Sequence, residues 1–185
     1  MKRIIYILLI PVVLSSCITA KITSTKDPSH TDKVDNILIV MRGVDLADKY
    51  LIELKRLMGQ SFNERGVKSN IHILESQSSS KQELSLDTEQ DITTKINKEI
   101  AAQLTKYSPN YLMTINQTHV KEIYGNINNQ EGGTFDVKLF KSGQDKMIWR
   151  AKLEMFSNQG FKNGAKLSNQ RIFERLAADG LVKSM

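Results

Sequence analysis

Apolar and polar positions change rhythm several times along this 185-residue chain. Ile37-Leu38-Ile39-Val40-Met41 is a continuous apolar run rich in β-branched residues, the pattern of a strand covered on both faces. After Gly43 the period becomes helical. Ala47, Leu51, Leu54, Met58 and Phe62 form one stripe, Asp45 and Asp48 suit the positive end, and Gly66 supplies a stop. Val67 to Leu74 alternates as a second strand and completes a β-α-β unit. Residues 75–87, with Ser76, Ser78, Ser79 and Ser80, read as a loop. A second helix starts near Asp87 or Thr88 with Gln90 or Asp91 placed for a capping box; its stripe is Ile92, Ile96, Ile100, Leu104 and Tyr107, and Pro109 follows it. Tyr111 to Val120 is a third strand, apolar at first and polar later. A glycine-bearing loop, Gly125 to Gly133, precedes a hairpin. Phe135, Val137 and Leu139 alternate on one arm, Trp149, Ala151, Leu153 and Met155 on the other, and Ser142-Gly143-Gln144-Asp145 turns between them. A loop with Gly160 and Gly164 leads to a closing helix whose apolar side is Leu167, Ile172, Leu176 and Ala177. The expected architecture is a single α/β domain over residues 36–185. Its order is β-α-β-α-β-β-β-α, a mixed sheet covered by helices.

The first 35 residues follow other rules. Lys2 and Arg3 precede an apolar run from Ile4 to Leu14, broken only by Pro11, which matches the charged and hydrophobic regions of a signal peptide. The run is too short for a hydrocarbon core, which needs roughly 20 apolar residues. Leu14-Ser15-Ser16-Cys17 resembles the lipobox of bacterial lipoproteins, in which the cysteine thiol is diacylglycerylated and the peptide is cut before it. The resemblance implies a signal peptide over residues 1–16 and a lipid on Cys17. The plainer alternative is an ordinary secretory peptide with an incidental cysteine. Cys17 is the only cysteine, so the domain has no disulfide to draw on. Residues 18–35 show no regular apolar period, and the segment 17–35 is expected to be a lipidated cysteine followed by a flexible tether.

Charge alters this picture modestly. The formal net charge is +6, and residues 137–175 hold nine basic against three acidic groups. An exported lipoprotein meets little nucleic acid, so anionic lipid, cell-wall polymer or an acidic protein face are the fitting partners; a merely solvated surface explains the same excess. Strand alternation sends Arg150, Lys152 and Glu154 to one side of their strand and Asp136 and Lys138 to the same side of its neighbour. Lys138, Arg150 and Lys152 are therefore the candidate partner-binding residues, with the loop Gly125 to Gly133 beside them and Lys141 and Lys146 close in sequence.

Candidate chemistry is thin. His30, His72 and His119 fall on the tether and two different strands, with no metal-ligand spacing, and neither a metal nor another cofactor is expected. The serines at 78–80 suit loop solvation better than a nucleophile, and helix capping accounts for Asp45 and Asp48. Trp149 fits a core position, with an exposed binding anchor as the alternative.

Phe135-Asp136-Val137-Lys138-Leu139 with Ile148-Trp149-Arg150-Ala151, and the ending Glu174-Arg175-Leu176-Ala177-Ala178-Asp179-Gly180-Leu181-Val182, resemble a group of small envelope lipoproteins. The group includes the curli-secretion-channel, penicillin-binding-protein-activator and TolB N-terminal types. The resemblance implies a periplasmic α/β domain that binds partners and does not catalyse. The functional expectation is a lipid-anchored, non-catalytic partner-binding or assembly component of the bacterial envelope, at the outer membrane and facing the periplasm. A structural homo-oligomer and an enzyme with a site assembled from distant residues are the alternatives.

Overall fold

A computed structural model describes residues 18–43, 48–74, 86–124, 129–144 and 146–184. The signal peptide, Cys17, Asp45 and the serines at 76–80 lie outside the described residues, as do residues 125–128 and Asp145. The strands are β1 (Ile18–Lys26), β2 (Asn36–Arg42), β3 (Lys68–Ile73), β4 (Tyr111–Tyr124), β5 (Asn129–Lys141) and β6 (Met147–Ser157). The helices are α1 (Asp48–Glu64), α2 (Leu86–Tyr107) and α3 (Phe161–Ala178). The strands form one mixed sheet in the order β1-β6-β5-β4-β2-β3. Strand β2 lies parallel to both β3 and β4, and the pairs β4/β5, β5/β6 and β6/β1 are antiparallel. The expected α/β class and mixed sheet are present, with one more strand at the amino-terminal edge.

That strand corrects the tether expectation. Ile18 to Lys26 pairs residue by residue with Ser157 to Trp149 of β6. Its alternating burial puts Ala20 and Ile22 against the core, while Thr19, Lys21, Thr23 and Thr25 face solvent. The rest of the supposed tether is also tied down. Asp27 accepts hydrogen bonds from Ser29 N (3.0 Å) and Oγ (2.7 Å), Lys146 Nζ lies 2.6 Å from its carboxylate, and Val34 N donates to Leu181 O (2.9 Å). His30 and Val34 are buried. Threonine and isoleucine at alternating positions favour a pleated edge, and the sheet supplies the partner that a free coil would lack.

The two faces of the sheet are treated differently. On one, Ile37, Ile39 and Met41 of β2, Met113 and Ile115 of β4, Phe135 to Leu139 of β5 and Trp149 to Leu153 of β6 build a continuous core under α1 and α3. Leu51, Leu54, Met58 and Phe62 are fully buried from α1, each contributing about 1.5–3 kcal/mol of burial. Phe62 meets Phe173 of α3 edge-on at 4.6 Å. On the opposite face a smaller cluster joins Leu38, Val40, Leu74 and Leu112 to Ile100, Leu104 and Tyr107 of α2. The two-sided burial expected of the run Ile37 to Met41 is therefore present: its odd residues meet α1 and α3, its even residues α2.

Local signals placed most boundaries. Gly66 and Gly180 adopt φ of 71° and 75°, where a side chain would be strained. After α3, Leu181 N donates to Leu176 O and Gly180 N to Ala177 O, both at 2.9 Å, a Schellman stop with Leu176 and Leu181 buried together. Two glycines expected in loops lie elsewhere. Gly164 is inside α3, where a Cβ would stand 2.8 Å from Met155 Sδ, so its missing side chain lets the helix approach β6 closely. Gly133 is inside β5, where a Cβ would meet Gln117 Nε2 at 3.0 Å and His119 O at 3.2 Å, beside the bulge between Gln117 and His119. The expected loop Gly125 to Gly133 is thus already strand from Asn129 onward.

Candidate binding face

Helix α2 packs over β2, Leu74 and the start of β4, and among the described residues its apolar contacts end at Leu112. Beyond that line the same face of β4, β5, β6 and β1 is lined by polar side chains. Register places Thr114, Lys138, Arg150 and Thr25 side by side, then Asn116, Asp136, Lys152 and Thr23, then Thr134, Glu154 and Lys21. This arrangement follows from alternation: on β4, β5 and β6 the residues between them, such as Met113, Ile115, Val137, Ala151 and Leu153, are spent on the α1/α3 core, and on β1 Ala20 and Ile22 pack against it while Ser24 and Lys26 bond to Asp179.

The three candidate binding cations are brought together on this face, yet none is free of partners. Asp136 accepts from Arg150 Nε at 2.9 Å and lies 3.0 Å from Lys138 Nζ; Lys152 Nζ sits 2.7 Å from Glu154. Partial burial pushes the Asp136 carboxyl up, but the hydrogen bonds from Arg150 and Lys138 outweigh it and hold the group below the usual carboxylate range. The bond from Lys152 does the same for Glu154. Arg150 and Lys152 keep 54% and 59% of their side chains exposed, whereas Lys138 keeps 34%, so the first two have the more accessible charge.

A shallow depression of about 410 Å³ follows this face, lined by Thr23, Thr25, Thr134, Asp136, Arg150 and Lys152. A second, of about 290 Å³, lies next to it among His119, Gly133, Thr134, Glu154 and Phe156. The threonines lining the first offer hydroxyls that both donate and accept, set among Arg150, Lys152 and the Asp136 carboxylate. The hydroxyls of Thr23 and Thr25 come from β1, within the segment expected to be a tether.

Two expectations need correction here. The hairpin, which as the last pair of the expected sheet would leave one strand at an edge, offers its face alone: β6 is paired along β1 and β5 along β4, so the sheet edges are β1 and β3. Lys141 and Lys146, expected to extend the basic patch, are instead paired with Asp32 (3.1 Å) and Asp27 (2.6 Å) of the β1–β2 connection. The histidines stand apart. His30 packs edge-on against Tyr111, His72 Nε2 is 2.6 Å from Glu99, and His119 is beside Thr118. Among the described residues, no three groups of the metal-ligating types converge.

Trp149 is 1% exposed. Its Nε1 donates to Asp179 Oδ2 at 2.7 Å, and the same oxygen accepts from Ser24 Oγ at 2.6 Å. Arg175 Nε reaches Ser24 Oγ at 2.5 Å, and Lys26 Nζ donates to Asp179 O at 2.8 Å. This polar knot joins β1, β6 and the end of α3. It is a fastening, and it removes Trp149 from the list of exposed anchors.

No family model matches the chain, and no curated protein matches it. Solved structures do. The PelC dodecamer from Paraburkholderia phytofirmans superposes over 86% of this chain and 96% of its own, with a TM-score of 0.54 at 9% identity. Lipoprotein GNA1162 from Neisseria meningitidis aligns over 78% of this chain and 99% of its own, with a TM-score of 0.45 at 13% identity. The likeness to PelC is one of fold.

Proposed function

We propose that this protein is a lipid-anchored component of the bacterial envelope that works by binding, without catalysis, and that its open sheet face is the binding surface. Cys17 carries the lipid, and the domain faces the periplasm from the outer membrane. The observation that carries the reading is the uncovered, net basic face of β5, β6 and β1, where Arg150 and Lys152 stand exposed around a shallow depression. It keeps the partner-binding character implied by the resemblance to the curli-channel, penicillin-binding-protein-activator and TolB N-terminal group. The partner is an acidic envelope protein.

The test is reversal of Arg150 and Lys152 to Glu in the membrane-bound protein, followed by capture of crosslinked partners from detergent extracts at low and high salt. Exposed charges are screened beyond about 10 Å at 0.1 M salt, so the wild type should lose capture as salt rises and the double variant should capture poorly throughout. Equal capture by both, with the same salt dependence, would reduce the patch to a solvated face.

A second reading is homo-oligomeric assembly. Its support is that PelC, whose fold this chain shares, is a dodecamer. Sedimentation of the acylated chain in detergent separates the readings: a ring sediments as a large species without any added partner.

A further inference from the structure

We infer that the end of the sheet formed by Ile18, Ser157 and the paired ends of β4 and β5 at Tyr124 and Asn129 rests directly on the lipid bilayer, held there because no tether separates the lipid from the fold. The inference depends on the proposed anchoring at Cys17 and adds to it a fixed orientation. Ile18 is already the first residue of β1, opposite Ser157, and the register continues through Glu131 of β5 to Glu122 of β4. These four residues form a transverse row. With strands about 4.8 Å apart, the row spans roughly 14 Å from β1 to β4.

Cys17 is bonded to Ile18, so its Cα is about 3.8 Å away. A tether of eighteen residues would have allowed up to about 60 Å. In its place β1 is fastened along its length: nine register partners on β6, Ala20 and Ile22 on the core, and Ser24 and Lys26 in the Asp179 knot. Peeling it free would break all of these together. The acyl chains therefore leave the molecule beside one end of the sheet.

The register identifies what shares that end. Strands β4 and β5 continue past the row to the pair Tyr124 and Asn129, two residues or roughly 7 Å beyond Glu122 and Glu131. These strand ends thus reach at least as far toward the bilayer as the lipid attachment point. Helix α3 begins at the same end, with Lys162 exposed in its first turn, a cation suited to lipid headgroups. Trp149 pairs with Lys26 at the opposite end of β1, eight residues or roughly 26 Å from Ser157. The polar face of Arg150 and Lys152 would then stand upright, its strands rising from the membrane and its surface open to the periplasm from the side.

The test uses the acylated full chain in vesicles of phosphatidylethanolamine and phosphatidylglycerol, with and without brominated acyl chains. Native Trp149 should keep its emission on bromination. Tyr124→Trp should add a component that is quenched, and Asn129→Trp, on the paired strand, should do the same should the first variant fold poorly. Insertion of a Gly/Ser stretch of 15 residues between Cys17 and Ile18, with an average span of about 22 Å, should abolish that quenching while flotation with vesicles persists. Flotation with unquenched tryptophan at 124 and 129 overturns the orientation alone. Quenching that survives the insertion overturns the role of the short anchor. A wild-type chain that carries no acyl label and does not float overturns the anchoring and the orientation with it.

Discussion

Single residues show which contacts hold the molecule. Trp149 fills core volume and also donates to Asp179, and these two contributions separate by substitution. Trp149→Ala should cost about 3–5 kcal/mol, a large share of a total stability of about 5–15 kcal/mol. Trp149→Phe keeps most of the volume and loses the N–H, and should cost much less, on the order of 1 kcal/mol. Urea melts of both variants test this, and similar losses for the two would mean that the hydrogen bond, not packing, dominates. Charge at Asp27 is testable through pH. The bonds from Lys146 and Ser29 hold its carboxyl well below the usual carboxylate range. A depressed folded-state value contributes stability above the unfolded value of about 3.9 and loses it as pH falls through the folded one. Because Lys146 is 62% exposed and reaches Asp27 from solvent, the contribution is small and screened. Asp27→Asn should therefore flatten the acid limb of the stability profile slightly, and more at low than at high salt.

At the scale of elements, β1 is the decisive piece. It seals the outer side of β6, supplies Ala20 and Ile22 to the core and brings Ser24 and Lys26 to the end of α3. Ile22→Ala removes half-buried methyl groups, so a loss on the order of 1–2 kcal/mol is expected, below the range for a fully buried aliphatic. A free tether residue would give no more than about 0.5 kcal/mol. Hydrogen exchange offers an independent view, because the β6 amides that bond to β1 should exchange slowly in the wild type and faster in the Ile22→Ala variant. The same element accounts for the binding face. Without β1, the depression beside Arg150 would lose Thr23 and Thr25, one of its walls.

For the whole molecule, the asymmetry of the sheet connects fold to function. One face is closed by α1 and α3 along its length, while α2 covers only the β2 and β3 side of the other. Among the described residues the apolar contacts of α2 do not extend over the remainder, where the outward side chains of β5, β6 and β1 are mainly polar. The anchor is tested at this scale too: Cys17→Ser should abolish acyl labelling and release the protein from the membrane fraction, or leave the signal peptide uncleaved. Undiminished labelling of that variant would sink the anchoring at Cys17.

Local chemistry made much of this legible from the chain alone. The run Ile37 to Met41, the stripe from Leu51 to Phe62, the alternation on both sides of Ser142 and the stop at Gly66 each report a neighbour within a few residues, and each lies where its pattern indicated. The outward side shared by Asp136, Lys138, Arg150 and Lys152 also follows from strand period. The amino-terminal strand carried a signal as well, Ile18, Ala20 and Ile22 alternating with Thr19, Lys21 and Thr23. That signal is too weakly apolar to identify a strand until β6 supplies its hydrogen bonds. Only the tertiary structure decided that Gly133 and Gly164 are close-approach positions, because the atoms that require them, His119 O and Met155 Sδ, are distant in sequence or on another element. It also decided that Asp27 and Asp32 take up Lys146 and Lys141, and that the segment after Cys17 is sheet. Contacts between residues more than a hundred positions apart depend on how the strands are ordered, and strand order is set by the packing of the whole core.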